Sequence, residues 1–412
     1  MRIMVLLTTT YPYDKGEEFL ANELDAISGF DQVIIVPCKL KPDSVQTRPL
    51  PKNIRCIPIP PSFLGQNHML YVRLWFNRIV QKEVNYLRKT GRRTFKHIHE
   101  MLYFMKNARR IYDFLYTQCV GCKGDEVVLY SYWMYDLAVA ACMLRPALEE
   151  RGLRVRILSR AHGFDLYQER NALKYLPMRP YLLRELDAVY PCSEDGARVL
   201  REYLPQEAHK VVPAFLGTKD YGVGHPSRLP EFHLVSCSYL SPVKRVELIL
   251  EALSGADFPI RWTHIGSGDQ LEQLETQAES LPTHVKAEFL GHMDNSELMR
   301  YYQTQTCSAF VNVSASEGIP VSIMEACSFG LPILATDVGG SREAVHDGEN
   351  GILLQKNLTA SQLLAAICSI YKMPEKNFLL MCRNSRKIWE TQFSADTNYQ
   401  KFYMNIRDLF EA

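Results

Sequence analysis

No run of about 20 apolar residues occurs in the 412-residue chain, so no segment reads as a membrane-crossing helix. No basic-then-apolar leader precedes the first apolar stretch, and the expectation is a cytoplasmic chain. Charge of one sign is also missing. The 47 Lys and Arg against 46 Asp and Glu leave +1, which argues against a generic nucleic-acid binder. No G-x-G-x-x-G follows the first apolar strand, which counts against a dinucleotide enzyme such as a dehydrogenase. The 11 cysteines are scattered, several in apolar runs (Cys142, Cys237, Cys307, Cys327). Cys119-x-x-Cys122 has no second pair and no histidines at zinc spacing, so buried free thiols are expected and no metal site. There is no tandem repeat. What remains is an ordinary globular composition, 47% apolar and 23% charged, on a chain long enough for two domains.

The most informative stretch is Ser308 to Val345, SAFVNVSASEGIPVSIMEACSFGLPILATDVGGSREAV. Ala309 to Val313 reads as a strand, and Ser314 to Gly318 as a polar turn. Pro320 then stands where a helix accepts its first residue, since proline lacks the N–H that would go unsatisfied there. The helix should run to about Ser328 and stop at Gly330, with Pro332 just beyond. A second strand, Pro332 to Thr336, leads through Asp337 and Gly339-Gly340 into another helix. This is a parallel βαβ unit, whose loops gather at the carboxyl ends of the strands, where such sheets bind ligands. The helix start beside Gly318 suits a phosphate or diphosphate. Glu317 could accept hydrogen bonds from a sugar, and Glu325 from ribose hydroxyls. The plainer alternative is a helix end that favours acids, with Glu325 on a solvent face.

E-x7-E from Glu317 to Glu325 within SEGIPVSIMEA, followed by LPILATDVGG, resembles the donor-binding core of retaining glycosyltransferase family 4 (glycosyl transferases group 1, GT-B fold). The resemblance extends over nearly the whole chain, with weaker matches in the first half. It implies an α/β protein of two Rossmann-like, doubly wound domains facing each other across a cleft. Residues 1–217 would form the acceptor-side domain, joined by a C-terminal helix at about 395–412. Residues 228–394 would form the nucleotide-sugar domain.

Taken in order, Arg2 to Leu7 is a buried strand followed by a loop in which only Gly16 stands for the family's glycine pair; the resemblance makes Gly16 a donor-binding residue. A strand at Gln32 to Pro37 follows, then proline-rich punctuation from Lys41 to Pro61. Residues 69–116 form a long helical region. From Gln66 to Tyr116 it carries 11 Lys and Arg against three acids, with aromatics interleaved. Two readings stand: amphipathic helices packed on the sheet, or a peripheral surface resting on an anionic membrane. Strands are expected at Val127–Tyr130, Val155–Ser159 and Lys210–Pro213, Asp187–Ser193 resembles the family's last N-domain strand ending in serine, and a Gly/Pro/Ser-rich linker runs from Leu216 to Pro230. SRAHGFDLY resembles the family's H-G-x-D segment, which places His162 at the reaction centre and leaves Asp165 either to bind the acceptor or to orient the loop.

The second domain opens with a strand at Phe232 to Ser236. The loop after it resembles the family's G-R-L-x-x-x-K-G, with Lys244 on the lysine. Tyr239 stands in place of the arginine and Arg245 in place of the last glycine, leaving Arg245 as the candidate for a second cation. A fixed cation stabilises the charge that a departing diphosphate gains. Ile265-Gly266-Ser267-Gly268 is similar to the family's I-G-x-G segment near the nucleotide. The next strand is read at Phe289 to His292, with His292 structural, and Asp294-x-x-Glu297 is a capping box.

The implied activity is transfer of a glycosyl group from a UDP- or GDP-linked sugar to an acceptor hydroxyl with retention, in bacterial cell-surface polysaccharide or glycolipid synthesis. His162, Lys244 and Glu317 would be catalytic. Gly16, Arg245, Gly266, Gly268, Gly318, Ile319, Pro320, Val321 and Glu325 would bind the donor, and Asp165 would face a saccharide or lipid-linked acceptor. No cofactor or metal is expected, since no D-x-D carboxylate cluster is present. No nucleic-acid partner is expected either, and the location would be cytoplasmic or peripheral on the inner membrane face. A GT-B sugar-nucleotide epimerase and a non-catalytic nucleotide-sugar-binding subunit are the alternatives.

Overall fold

The computed structural model describes residues 1–17, 19–64, 74–118 and 120–410. Glu18, Cys119 and the first residues of the basic aromatic stretch, 69–73, lie outside the described residues. The chain divides into two compact units, one of 1–214 with 399–412 and one of 215–398.

The first unit is built on a parallel six-stranded sheet: β1 (Arg2–Thr8), β2 (Gln32–Pro37), β3 (Ile54–Cys56), β4 (Glu126–Ser131), β5 (Arg154–Ala161) and β6 (Ala188–Pro191), in the order β3-β2-β1-β4-β5-β6. β1 and β4 read as continuous apolar runs because helices cover both faces of a parallel sheet. One face packs against Val84, Met101, Met105 and Leu137 from the helices Arg78–Lys89, Phe95–Thr117 and Asp136–Glu150. The other face takes Leu20, Leu24 and, from the C-terminal helix, Phe402, Tyr403 and Ile406. The basic aromatic stretch forms two helices because Asn77 and Thr94 each cap a helix start, accepting from the Ile79 and His97 N–H groups.

The second unit holds β7 (Phe232–Cys237), β8 (Ile260–Ile265), β9 (Val285–Phe289), β10 (Ala309–Asn312), β11 (Ile333–Thr336) and β12 (Gly351–Leu354), in the order β12-β11-β10-β7-β8-β9. Its ladders are parallel as well. Counting strands from each unit's own start, both sheets have the order 3-2-1-4-5-6. That is the doubly wound arrangement, with its switch point between β1 and β4 in one unit and between β7 and β10 in the other.

Three local expectations are corrected. Lys210–Pro213 is no strand: a 3-10 turn occupies Pro205–Lys210, and Val211 joins β6 by a single bridge to Val189. The strand read at Phe289–His292 lies earlier, at Val285–Phe289, and Gly291 (φ +68°) follows it in a left-handed turn. Pro320 is the N-cap of the helix Val321–Ser328 rather than its first residue. β3 was hidden in the proline-rich punctuation.

Candidate active site at the carboxyl ends of the second sheet

β7 and β10 are neighbours, so the loops that leave their carboxyl ends meet at the switch point of the sheet. The loop after β7 is held to the loop after β10 by Ala315 N–H donating to the Val243 carbonyl (2.8 Å). This brings two sequence-distant charges together: Lys244 Nζ donates to Glu317 Oε1 at 2.6 Å. The Glu317 carboxylate is nearly buried while the lysine is a quarter exposed. Asn312, the last residue of β10, also donates to Oε1, at 3.3 Å.

The conformation of Glu317-Gly318 is set from the far side by Gly339-Gly340. Gly340 N–H donates to the Gly318 carbonyl (2.6 Å), and Gly339 sits at φ +54°, where a Cβ would overlap the Glu317 carbonyl oxygen. Ile319 is buried, and Pro320 directs the chain into the helix with an extended ψ of 111°. Val321 begins that helix, whose first N–H groups have no intrahelical acceptor and carry a partial positive charge. One turn on, Glu325 is buried and accepts from Asn295 Nδ2 at 2.7 Å. Burial, then Glu325, pushes the Cys237 thiol upward while Lys244 pulls it down, so both charges lie close to the end of β7.

Arg245 does not extend beside Lys244. It adopts φ +50°, and its guanidinium donates to the carbonyls of Val313 (2.8 Å), Ser314 (3.2 Å) and Lys356 (2.8 Å). It thus stitches the end of β10 in place, in the left-handed conformation that favours glycine. Tyr239 is exposed and donates to Asp269 (3.2 Å). Gly266 (φ +142°) and Gly268 are required by the neighbouring backbone, because a Cβ on either would overlap the carbonyl oxygen of Ser238 or Leu240. Beneath them His264 is buried, its Nε2–H donating to the Ser238 carbonyl (3.1 Å) and its Nδ1 accepting from Ser236 (2.8 Å). Trp262 Nε1–H in turn donates to Ser236 (2.9 Å). Burial lowers the His264 pKa to about 4.

In the first unit His162 follows β5 and is buried between the rings of Tyr132 (4.8 Å) and Trp133 (4.7 Å). Its Nε2 lies 3.1 Å from the Tyr132 carbonyl, which only accepts, so Nε2 carries the proton. Burial, then the Arg160 charge, lowers its pKa to about 3, and the ring is neutral at physiological pH. Of the two roles expected for Asp165, the geometry fits the orienting of the loop and not the acceptor side. Asp165 is 1% exposed, and its two oxygens accept the N–H groups of His162 and Met134, both at 2.6 Å. It fixes the histidine loop and is not open to an acceptor; burial raises its pKa to about 7.

Gly16 (φ +114°) precedes Glu17, which nothing in the sequence had singled out. The Glu17 carboxylate gathers the N–H groups of Thr9, Thr10 and Tyr11 (2.7–2.9 Å) together with Trp133 Nε1–H (2.7 Å). It joins the loops after β1 and β4 at this sheet's own switch point. Asn295 and Asn312 were missed for a similar reason, since neither belongs to a recognisable pattern. Among the described residues no group of three or more His, Cys, Asp and Glu is placed to hold a metal ion.

A doubly wound pair of sheets, with a lysine and two carboxylates at one switch point, defines the GT-B class of glycosyltransferase folds. A solved structure of Anabaena HepE in complex with UDP matches 99% of this chain and 100% of its own (TM-score 0.64, 16% identity) and shows the same fold. The family model "Glycosyl transferases group 1" matches residues 224–385. The O-antigen biosynthesis glycosyltransferase WbnH of Escherichia coli is 31% identical over 292 residues, 68% of this chain and 81% of its own length. The D-rhamnosyltransferase WbpZ of Pseudomonas aeruginosa is 25% identical over 210 residues, and the match spans 48% of this chain and 54% of that protein. The chain belongs to the glycosyl transferases group 1 family.

Proposed function

We propose that the protein is a retaining glycosyltransferase that moves a sugar from a UDP- or GDP-linked donor to an acceptor hydroxyl in the synthesis of a bacterial surface polysaccharide or glycolipid. The observation that carries this reading is the convergence of Lys244, Glu317 and Glu325 on the carboxyl ends of β7 and β10. Glu325 takes the ribose hydroxyls, while Lys244 and the start of the helix Val321–Ser328 take the diphosphate. Glu317 takes the sugar, with Gly318 leaving room for the backbone to approach. The reported names of WbnH, an O-antigen enzyme, and of HepE bound to UDP support the pathway class and the donor class.

In the reaction the bond between the anomeric carbon and the phosphate oxygen breaks, and the acceptor oxygen attacks the same face. The acceptor proton passes to the departing phosphate. Lys244 stabilises the charge that accumulates there, so no metal is required. His162, which the H-G-x-D resemblance makes catalytic, is neutral and would act as a hydrogen-bonding group rather than as a charge. Arg245, held by three carbonyls, serves the loop's shape.

A lipid-linked acceptor fits the outer face of the first unit's helices. Arg78, Lys82, Arg88, Lys89, Arg93 and Lys96 are exposed there, beside Phe76 (78% exposed) and Phe95 (84%). Of the three acids between Gln66 and Tyr116, Glu83 is buried and Glu100 and Asp113 are half-buried. No helix among the described residues is long and apolar enough to cross a membrane. A thermal-shift and donor-hydrolysis screen across UDP- and GDP-sugars, run with and without EDTA, tests the proposal. One nucleotide series should stabilise the protein, and activity should persist in EDTA. Silence toward both series, or a strict need for added Mg²⁺ or Mn²⁺, would refute it.

A further inference from the structure

Lys244 already has an anionic partner. Its ammonium lies 2.6 Å from Glu317 Oε1, and the same oxygen accepts from Asn312. Among the described residues Oε2 of Glu317 has no hydrogen-bond partner. The lysine therefore serves two anions whenever a diphosphate is present, and the carboxylate beside it is nearly buried, where charge is weakly screened. From this we infer that Glu317 holds back the grip of Lys244 on the nucleoside diphosphate, so that the spent donor binds weakly and leaves. The inference rests on reading this loop as the donor site. The intact donor differs from the spent one in chemistry as well as charge. Its sugar hydroxyls can donate to Oε2, which partly neutralises Glu317 and releases Lys244 towards the phosphates. The product has lost those donors, so the two anions repel with only one cation between them. Glu317 would thus favour sugar-bearing nucleotide over bare nucleotide, and its contribution to turnover includes product release.

The test is calorimetric titration of UDP and of GDP into the wild-type protein, Glu317→Gln and Glu317→Ala, each checked by circular dichroism and thermal melting. Removing one unit charge at this range should tighten binding of the accepted nucleoside diphosphate by about tenfold. Both substitutions should act in the same direction, because they share the loss of charge and not the shape. Lys244→Met should weaken binding and should shrink the gain obtained from Glu317→Gln in the double variant, as coupled neighbours do. Binding by the wild type with no tightening in either Glu317 variant would overturn the inference and leave the donor site standing. Tightening in only one of them would assign the effect to shape and overturn it too. No binding of UDP or GDP to any of the proteins would remove the donor-site reading, and the inference with it.

Discussion

Glu325 and Lys244 lie near one switch point, and the roles proposed for them differ, so their loss should be read by different measurements. Glu325→Ala removes a buried carboxylate, the acceptor proposed for the ribose hydroxyls, and takes from Asn295 its 2.7 Å acceptor. Donor affinity should fall by about 1–3 kcal/mol, with the loss visible in nucleotide titration. Lys244→Ala should fall more heavily on kcat, since its charge matters most as the diphosphate departs. An unchanged kcat with only the donor affinity altered would rule out the leaving-group role. His264 is fully buried, with both ring nitrogens hydrogen-bonded within the unit, and should appear in stability instead. Its folded pKa of about 4 lies below the ordinary value of 6.5, so the unfolded chain binds more protons between those limits. The neutral ring's contribution is present above pH 6.5 and is lost as pH falls towards 4, with a slope of up to about 1.4 kcal/mol per pH unit. Urea unfolding should show the advantage of the wild type over His264→Gln shrinking across that window. A pH-independent difference would show that the ring titrates normally.

The loops at the ends of β7, β10 and β11 behave as one assembly, and Gly339 is where this can be tested. Gly339→Ala puts a Cβ against the Glu317 carbonyl at a left-handed φ, a strain of about 1–3 kcal/mol, and should move the Glu317-Gly318 turn. Gly348 has a similar φ, +75°, but opens on empty space. Both alanine variants should melt at lower temperature, and only Gly339→Ala should also weaken nucleotide binding. Equal binding by the two would show that the turn does not depend on Gly339. The pattern from Glu317 to Gly340 was legible in the sequence because strand, turn, helix and glycine pair follow one another along the chain. The partners Asn295 and Asn312 were not legible, because topology rather than sequence makes them neighbours of Glu325 and Glu317. Whether Arg245 supplies a second cation was likewise not legible. A cation next to Lys244 invites that role, and only its left-handed backbone turns it towards the carbonyls of Val313 and Ser314. Among the strands, those buried on both faces stood out as apolar runs. β9 did not, because burial alternates along this edge strand, and β3 has only three residues.

Both units repeat one strand order although the chain carries no tandem repeat. Their helical coverings differ, and the exposed cations that run from Arg78 to Lys96 belong to the first unit. Arg78, Lys82, Asn85 and Lys89 follow at helical spacing on one face. Arg92 does not share their role, because it donates to Gln168 (3.0 Å) and helps hold the segment after the His162 loop. If the remaining cations rest on a membrane, the protein should sediment with vesicles containing anionic lipid and much less with neutral ones. Binding should weaken as salt rises, since exposed charges are screened over about 10 Å at 0.1 M ionic strength. The combined variant Arg88→Gln, Lys89→Gln, Arg93→Gln should weaken it by about 3 kcal/mol, at about 1 kcal/mol for each basic residue near such a surface. The same variant should melt as the wild type does and bind nucleotide equally well, because these side chains are exposed and the Lys244 site belongs to the other unit. Sedimentation that ignores lipid charge, or that survives both salt and the triple substitution, would leave these helices as coverings of the sheet and point to an acceptor free in solution.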